Sequence, residues 1–210
     1  MGRKGRRSNP YAKPDRFSVQ AKDEGYKARS VYKLTEAQKR FSFLKPGQRV
    51  VDLGCFPGSW SQYALERIGR GGRLVGVDLE APELPGTWIA RSVLQVTSEE
   101  LLEALEGPAD VVLSDMAPAT TGVAFTDHVR QVELVRRALA LAAAVGAQGS
   151  VFFCKVFDGE EVPALQAEVR AVYGTVKRLR PEAVRQQSRE FFLLGLDKRE
   201  GPSTPIAPVG

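Results

Sequence analysis

Six charged residues stand where an α/β sheet would expose its working edge. Asp52 closes an apolar run that begins Arg49-Val50-Val51. Asp78 closes Arg73-Leu74-Val75-Gly76-Val77, and Asp115 closes Ala109-Asp110-Val111-Val112-Leu113-Ser114. Lys155 follows Val151-Phe152-Phe153-Cys154, Glu190 opens the run Phe191-Phe192-Leu193-Leu194, and Lys33 lies upstream of them all. In open α/β sheets ligands bind at the carboxyl ends of the strands, so these side chains are candidates for chemistry. A carboxylate there can hold a hydroxyl or a cation. A lysine can hold a hydroxyl, or deprotonate it once neighbours and burial let the amine shed its own proton. Burying an ammonium is costly unless it is paired or used. The competing reading of Lys155 is an edge-strand lysine that snorkels to water.

The first of these runs carries a ligand-type turn, Val50-Val51-Asp52-Leu53-Gly54-Cys55-Phe56-Pro57-Gly58-Ser59-Trp60. Strand, glycine turn and helix form the opening unit of a nucleotide-binding fold, and Gly54 and Gly58 leave room for a ligand near the backbone. The start of the following helix offers unpaired N–H groups to an anionic group. The spacing is G-x-x-x-G rather than G-x-G-x-x-G, which disfavours a dinucleotide and with it a nicotinamide dehydrogenase. Asp52 near the turn suits a ligand bearing an ammonium, and S-adenosylmethionine carries both an ammonium and a sulfonium. An ordinary strand–helix turn that binds nothing is the competing reading. Asp78, 24 residues after Gly54, stands where a nucleoside ribose would be held through its hydroxyls. A strand-end turn residue is the plainer reading of Asp78 taken alone.

The elements that must position these residues alternate. Residues 15–28 are expected to be partly helical. Apolar residues at Val31, Leu34, Ala37 and Phe41 predict a helix over 29–41, broken by Pro46-Gly47. Strands are predicted at 49–52, 73–78, 88–93, 109–115, 149–157, 175–179 and 190–196. Helices are predicted from Trp60, over 98–106 with Ser98 as cap, and over 127–145 and 160–173. This pattern gives a Rossmann-like, mostly parallel, doubly wound sheet, and an antiparallel last strand would bring Glu190 to the edge of Asp115 and Lys155. Lys33 reaches that edge only if its helix folds over it. His128, the only histidine, is read as structural or solvent-facing, and Cys154 as strand filling.

Charge is unevenly distributed. Residues 1–40 hold 12 Lys and Arg against 4 Asp and Glu, whereas the remainder holds 18 against 21. The basic excess therefore lies in an N-terminal arm, with Arg3, Lys4, Arg6, Arg7, Lys13 and Arg16 available to a polyanion. A solvated tail is the bland alternative. Two cysteines are too few for a disulfide framework or a zinc site, and a reducing cytoplasm is expected. No apolar run approaches the length of a membrane span. The chain divides into a basic arm (1–28), one α/β domain (29–200) and a Pro-rich tail (201–210).

The segments R-S-V-Y-K-L-T-E, D-L-G-C-F-P-G-S-W-S-Q, G-V-D-L, L-S-D-M-A-P, F-F-C-K-V-F-D-G-E and S-R-E together carry a resemblance. From about Arg16 to Leu196 the chain resembles the FtsJ/RrmJ family of S-adenosylmethionine-dependent RNA ribose 2′-O-methyltransferases, and among them the bacterial members that act on large-subunit ribosomal RNA. The resemblance implies a Lys-Asp-Lys-Glu tetrad at Lys33, Asp115, Lys155 and Glu190. It implies cofactor contacts at Gly58, Trp60, Asp78 and Asp115, with Gly54, Ser59 and Leu79 close by. It further implies methylation of a uridine 2′-hydroxyl in 23S ribosomal RNA, on the assembled 50S subunit, by a monomer that uses no metal. Lys155 would hold the hydroxyl, as general base or by orienting its lone pair. Asp115 would position Lys155, while Lys33 and Glu190 orient base and ribose. The chain departs from the family at Cys55, Phe56 and Ser59, where alanine and glycine are usual, and at Ala119, where asparagine is usual. The family's adenine-contacting acid falls near Leu94, so that contact is expected to use backbone groups. Methylation of tRNA, or a non-catalytic RNA-binding or ribosome-assembly role on the same fold, are the alternatives.

Overall fold

The computed structural model describes residues 15–118 and 124–201. The arm residues before Asp15, the loop position Ala119 and the tail from 202 lie outside them. Seven strands form one sheet: β1 (Arg49–Leu53), β2 (Arg73–Asp78), β3 (Thr87–Ala90), β4 (Ala109–Ser114), β5 (Gly146–Phe157), β6 (Tyr173–Leu179) and β7 (Glu190–Lys198). Their order is β3-β2-β1-β4-β5-β7-β6. Pairings from β3 to β5 are parallel, and β7 runs antiparallel to both β5 and β6. The expected antiparallel last strand is therefore present, inserted between β5 and β6. Its register sets Glu190 opposite Phe157 and Phe192 opposite Lys155, so β7 begins where β5 ends.

The helices are α1 (Arg16–Asp23), α2 (Val31–Phe41), α3 (Ser59–Ile68), α4 (Ser98–Leu105), α5 (Ala124–Val145) and α6 (Val162–Val172). Alternation along the strands splits the core into two layers. Val51, Val112, Phe152 and Leu193 pack with α4, α5 and α6. Val50, Val111, Phe153, Phe192 and Leu194 pack with Leu34 and Ala37 of α2 and with Trp60, Ala64 and Ile68 of α3. By the same two-residue period, Lys155 and Glu190 share the face of Phe153 and Phe192, the face that α2 covers. That parity brings Lys33 of α2 over the sheet edge.

Several boundaries differ from expectation. Thr97, not Ser98, caps α4: its side chain accepts the Glu100 N–H while Glu100 accepts the Thr97 N–H, a full capping box. The third strand stops at Ala90, because the Ser92 hydroxyl accepts the Leu94 N–H and turns the chain into a short 3-10 segment, Val93–Gln95. β5 starts at Gly146, which pairs with Ala109 before a register shift. Helix α1 occupies part of the stretch expected as arm and is tied to the body. Tyr32 donates to Glu24, and the Gln62 amide donates to the Gly25 carbonyl.

Trp60 ties α2 to α3. Its ring stacks on Phe153 at 5.3 Å, and its indole N–H donates to the Ser30 carbonyl at 2.8 Å. Ser59 and Ser30 hydroxyls meet at 2.7 Å beside it. Trp60→Phe keeps the stacking and removes the indole hydrogen bond, leaving the Ser30 carbonyl with the Lys33 N–H alone. We expect a loss of about 1–2 kcal/mol, read by calorimetry as a Tm drop of roughly 2–8 °C. An unchanged Tm would show that the tie carries no stability.

Candidate active site

The four tetrad residues form two ion pairs, and β5 and β7 join them. Lys155 Nζ donates to the Asp115 backbone carbonyl at 2.6 Å. It also stands 3.0 Å from Asp115 Oδ1, an ion-pair distance at which the carboxylate oxygen still makes no hydrogen bond. Lys33 Nζ lies 2.6 Å from Glu190 Oε1 and 5.6 Å from the centre of the Phe192 ring. Phe192 is the cross-strand partner of Lys155, so the two pairs meet over one strand pairing. Lys33 and Lys155 are both buried, as a lysine tied to a carboxylate can be and a snorkelling one is not. Buried pairs seldom stabilise a fold better than apolar residues would, so their presence points to use.

Two cavities are lined in part by tetrad residues. One, of about 380 Å³, is lined by Gly54, Phe56, Asp78, Leu79, Asp115 and Met116, together with Ser92 and Val93. The other, of about 410 Å³, is lined by Arg29, Ser30, Lys33, Arg185, Ser188 and Glu190. Asp115 thus faces the first, and Lys33 with Glu190 faces the second.

The first cavity is built by the glycine turn. Gly54 has φ +80°, and a Cβ there would lie 2.6 Å from Met116 Cγ. Asp78 is fixed by two backbone donors, Phe56 N–H at 2.9 Å to Oδ2 and Leu79 N–H at 2.7 Å to Oδ1. Each oxygen keeps a lone pair for a ligand hydroxyl. Gly58 caps α3 without a side chain, and the N–H groups of Ser59 and Trp60 have no intrahelical partner, whereas the Ser61 N–H is hydrogen-bonded to Asp52. The side chains of Ser59 and Trp60 are buried, and Gly58 packs against Pro82 and Leu84. What this helix start can offer a ligand is backbone.

Two candidates sit differently from their expected places. Asp52 is fully buried beneath the turn, not at its surface, and accepts the Ser61 hydroxyl at 2.6 Å. Burial pushes its pKa up to about 7, the Ser61 hydrogen bond opposes the rise, and the charges of Asp115 and Asp78 add to it. Three carboxylates therefore surround one turn. Leu94 does not line the cavity, because the 3-10 turn packs it on the core while Ser92 and Val93 face inward. His128 is half-buried against Gly159, away from the tetrad. Cys154 is buried, its thiol pushed up to about 12 by burial, as befits a strand filler rather than a nucleophile. Arg29 and Arg185 were not singled out by sequence; only the position of Arg29 within R-S-V-Y-K-L-T-E could have flagged it. Among the described residues no group of His, Cys, Asp and Glu could hold a metal ion, and no helix is long and apolar enough to cross a membrane.

Comparison with known proteins agrees with this geometry. The pattern of the FtsJ-like methyltransferase family matches residues 26–198. The chain is 45% identical over 202 residues to the ribosomal RNA large subunit methyltransferase E of Sorangium cellulosum (strain So ce56), covering 93% of each chain. It is 41% identical over 203 residues to the protein of the same name from Myxococcus xanthus (strain DK1622), covering 94% of this chain and 95% of that one. A crystal structure described as that of a ribosomal RNA methyltransferase from Plasmodium falciparum superposes with a TM-score of 0.73 at 24% identity, over 82% of this chain and 98% of that one. At that identity the superposition supports the fold.

Asp52 makes stability depend on pH. Its folded pKa, about 7, lies above the usual carboxylate range, so the folded state binds the extra proton. This contribution is fully present below about pH 4 and is lost as pH rises through about 7. Asp52→Asn removes the titration, so its stability relative to the wild type should rise by an amount on the order of a few kcal/mol between pH 4 and 8. Parallel stability–pH curves from urea melts would contradict the assignment.

Proposed function

The chain belongs to the FtsJ-like methyltransferase family, and on that premise we propose that it methylates the 2′-hydroxyl of a uridine ribose in large-subunit ribosomal RNA, on the assembled 50S subunit, with S-adenosylmethionine as donor. It is an RNA methyltransferase, and the named relatives place ribosomal RNA as its substrate class. The observation that carries the 2′-hydroxyl reading is the tetrad, two ion pairs joined over one strand pairing, with Asp115 lining one cavity and Lys33 and Glu190 another.

The first cavity fits S-adenosylmethionine. The three carboxylates Asp52, Asp78 and Asp115 make it attractive to a ligand with ammonium and sulfonium charges. Asp78 would hold the ribose hydroxyls, and the N–H groups of Ser59 and Trp60 at the start of α3 would meet the cofactor's carboxylate. Leu79 and Val93 line the space left for an adenine, where no acidic side chain faces it; Ser92 and backbone groups would serve there. When bound, the cofactor supplies an electrophilic methyl group, so the protein's task is alignment and proton handling.

The second cavity would receive the target ribose. Lys33 and Glu190, locked to each other, present a donor and an acceptor that can fix the sugar's hydroxyls. Lys155 holds the 2′-hydroxyl. As a free amine it accepts the hydroxyl proton, and as an ammonium it turns a lone pair toward the methyl group. Asp115 anchors Lys155 through both its carbonyl and its carboxylate, so the lysine head has little freedom to stray from the line of attack. The basic arm would add salt-sensitive contacts to RNA phosphates. A monomer in the cytoplasm belongs to the same proposal; buried free thiols at Cys55 and Cys154 are consistent with a reducing compartment.

Lys155→Ala and Lys155→Met should each lower methyl transfer by roughly 10²–10⁴-fold, the usual contribution of a general base. Calorimetric affinity for S-adenosylmethionine should stay within a few-fold of the wild type. Near-normal turnover in either variant would remove Lys155 from the chemistry.

A further inference from the structure

One carboxylate beside the substrate cavity is used twice. Asp15 Oδ1 caps α1, accepting the Ser18 N–H at 3.0 Å and the Ser18 hydroxyl at 3.2 Å. Asp15 Oδ2 instead faces two guanidinium groups, pairing with Arg29 and lying 3.6 Å from Arg185 Nε. The two arginines come from distant parts of the chain, one ahead of α2 and the other between β6 and β7. Arg29 is steadied by a hydrogen bond to the Ala183 carbonyl and by the Phe17 ring, 5.6 Å below its guanidinium. Burial, and after it the charge of Arg185, holds Arg29 below its usual range. Two cations crowded in this way are stable only with an anion between them, and here the chain supplies its own.

The place of this anion matters. Arg29 and Arg185 line the same cavity as Lys33 and Glu190, with Ser30, Gln187 and Ser188. Arg29 stands just ahead of α2 and Lys33 in its first turn, and both line this cavity, so a phosphate held by the arginines would lie beside a ribose held by Lys33 and Glu190. Planar guanidinium forks match phosphate oxygens in pairs.

The geometry points to a phosphate seat: Arg29 and Arg185 bind the RNA phosphodiester next to the target ribose, and Asp15 occupies the seat until RNA displaces it. This rests on the RNA-methylation reading above. Asp15 then acts as an internal competitor. It also follows directly on the segment carrying Arg3, Lys4, Arg6, Arg7 and Lys13, so a polyanion that engages the arm reaches this seat next. The rival view is a purely structural latch that fastens α1 to the body. The two views predict opposite signs when the charge of Asp15 is removed.

The test uses the full chain and a fluorescein-labelled fragment of unmodified large-subunit ribosomal RNA, with Kd read by anisotropy across a potassium chloride series. Asp15→Asn keeps a good helix cap while losing the charge. It should bind the RNA about three- to tenfold more tightly, and Asp15→Ser, a second neutral cap, should do the same. Arg185→Gln should bind about five- to tenfold more weakly, with the salt slope shallower by about one. Unchanged or weaker binding in both Asp15 variants overturns the proposal, as does a wild-type Kd and slope for Arg185→Gln. Methyl transfer by the same wild-type protein is measured on large ribosomal subunits lacking the modification. Transfer without these binding shifts removes the seat and leaves the enzyme; the shifts without transfer keep the seat and remove the enzymatic reading.

Discussion

An ammonium at the end of a central strand must be held by something, and in this protein the holder is Asp115. Lys155 lies in a strand otherwise filled by Phe152, Phe153 and Cys154, under a layer of aromatic rings. Without a partner its burial would cost several kcal/mol. The hydrogen bond to the Asp115 carbonyl and the nearby carboxylate remove most of that penalty and fix the lysine head in place. The rest of the architecture can be understood from this constraint. The parallel pairing of β4 with β5 sets Ser114 beside Cys154 and so delivers the next residues, Asp115 and Lys155, to one edge. Antiparallel β7 adds Glu190 at the same edge. Helix α2, held by the indole of Trp60, brings Lys33 onto Glu190.

The turn after β1 solves a different problem. The deepest of its three carboxylates, Asp52, favours its protonated form chiefly because it is buried, and repulsion by the charges of Asp115 and Asp78 adds to that. A cationic ligand in the adjacent cavity would relieve that repulsion. Cofactor attraction and the raised pKa of Asp52 are then linked through one charge arrangement.

The strands were plain in the sequence because apolar runs bounded by charged or glycine residues have few other readings. β2 runs over the residues expected of it, and the four residues that the resemblance assigned to a tetrad come together in space. What escaped was information that only tertiary contacts hold. Asp52 was read as an acid near the turn available to a ligand, since nothing in D-L-G says that it is buried against the Ser61 hydroxyl. Trp60 was read as a ligand contact, and only the structure shows that its ring belongs to the α2–sheet packing, leaving its backbone for a ligand. The α4 cap was visible in T-S-E-E, where only Thr97 has a glutamate at the third position beyond it. Arg185 could not be read at all, because its meaning depends on Asp15 and Arg29, more than 150 residues away.

The most direct measurement is methyl transfer from radiolabelled S-adenosylmethionine to large ribosomal subunits lacking the modification, to naked ribosomal RNA and to bulk tRNA, followed by identification of the labelled nucleoside. The account predicts label as 2′-O-methyluridine in the subunits and little in the other two. Label on a base, label in tRNA, or no label despite cofactor binding would contradict it.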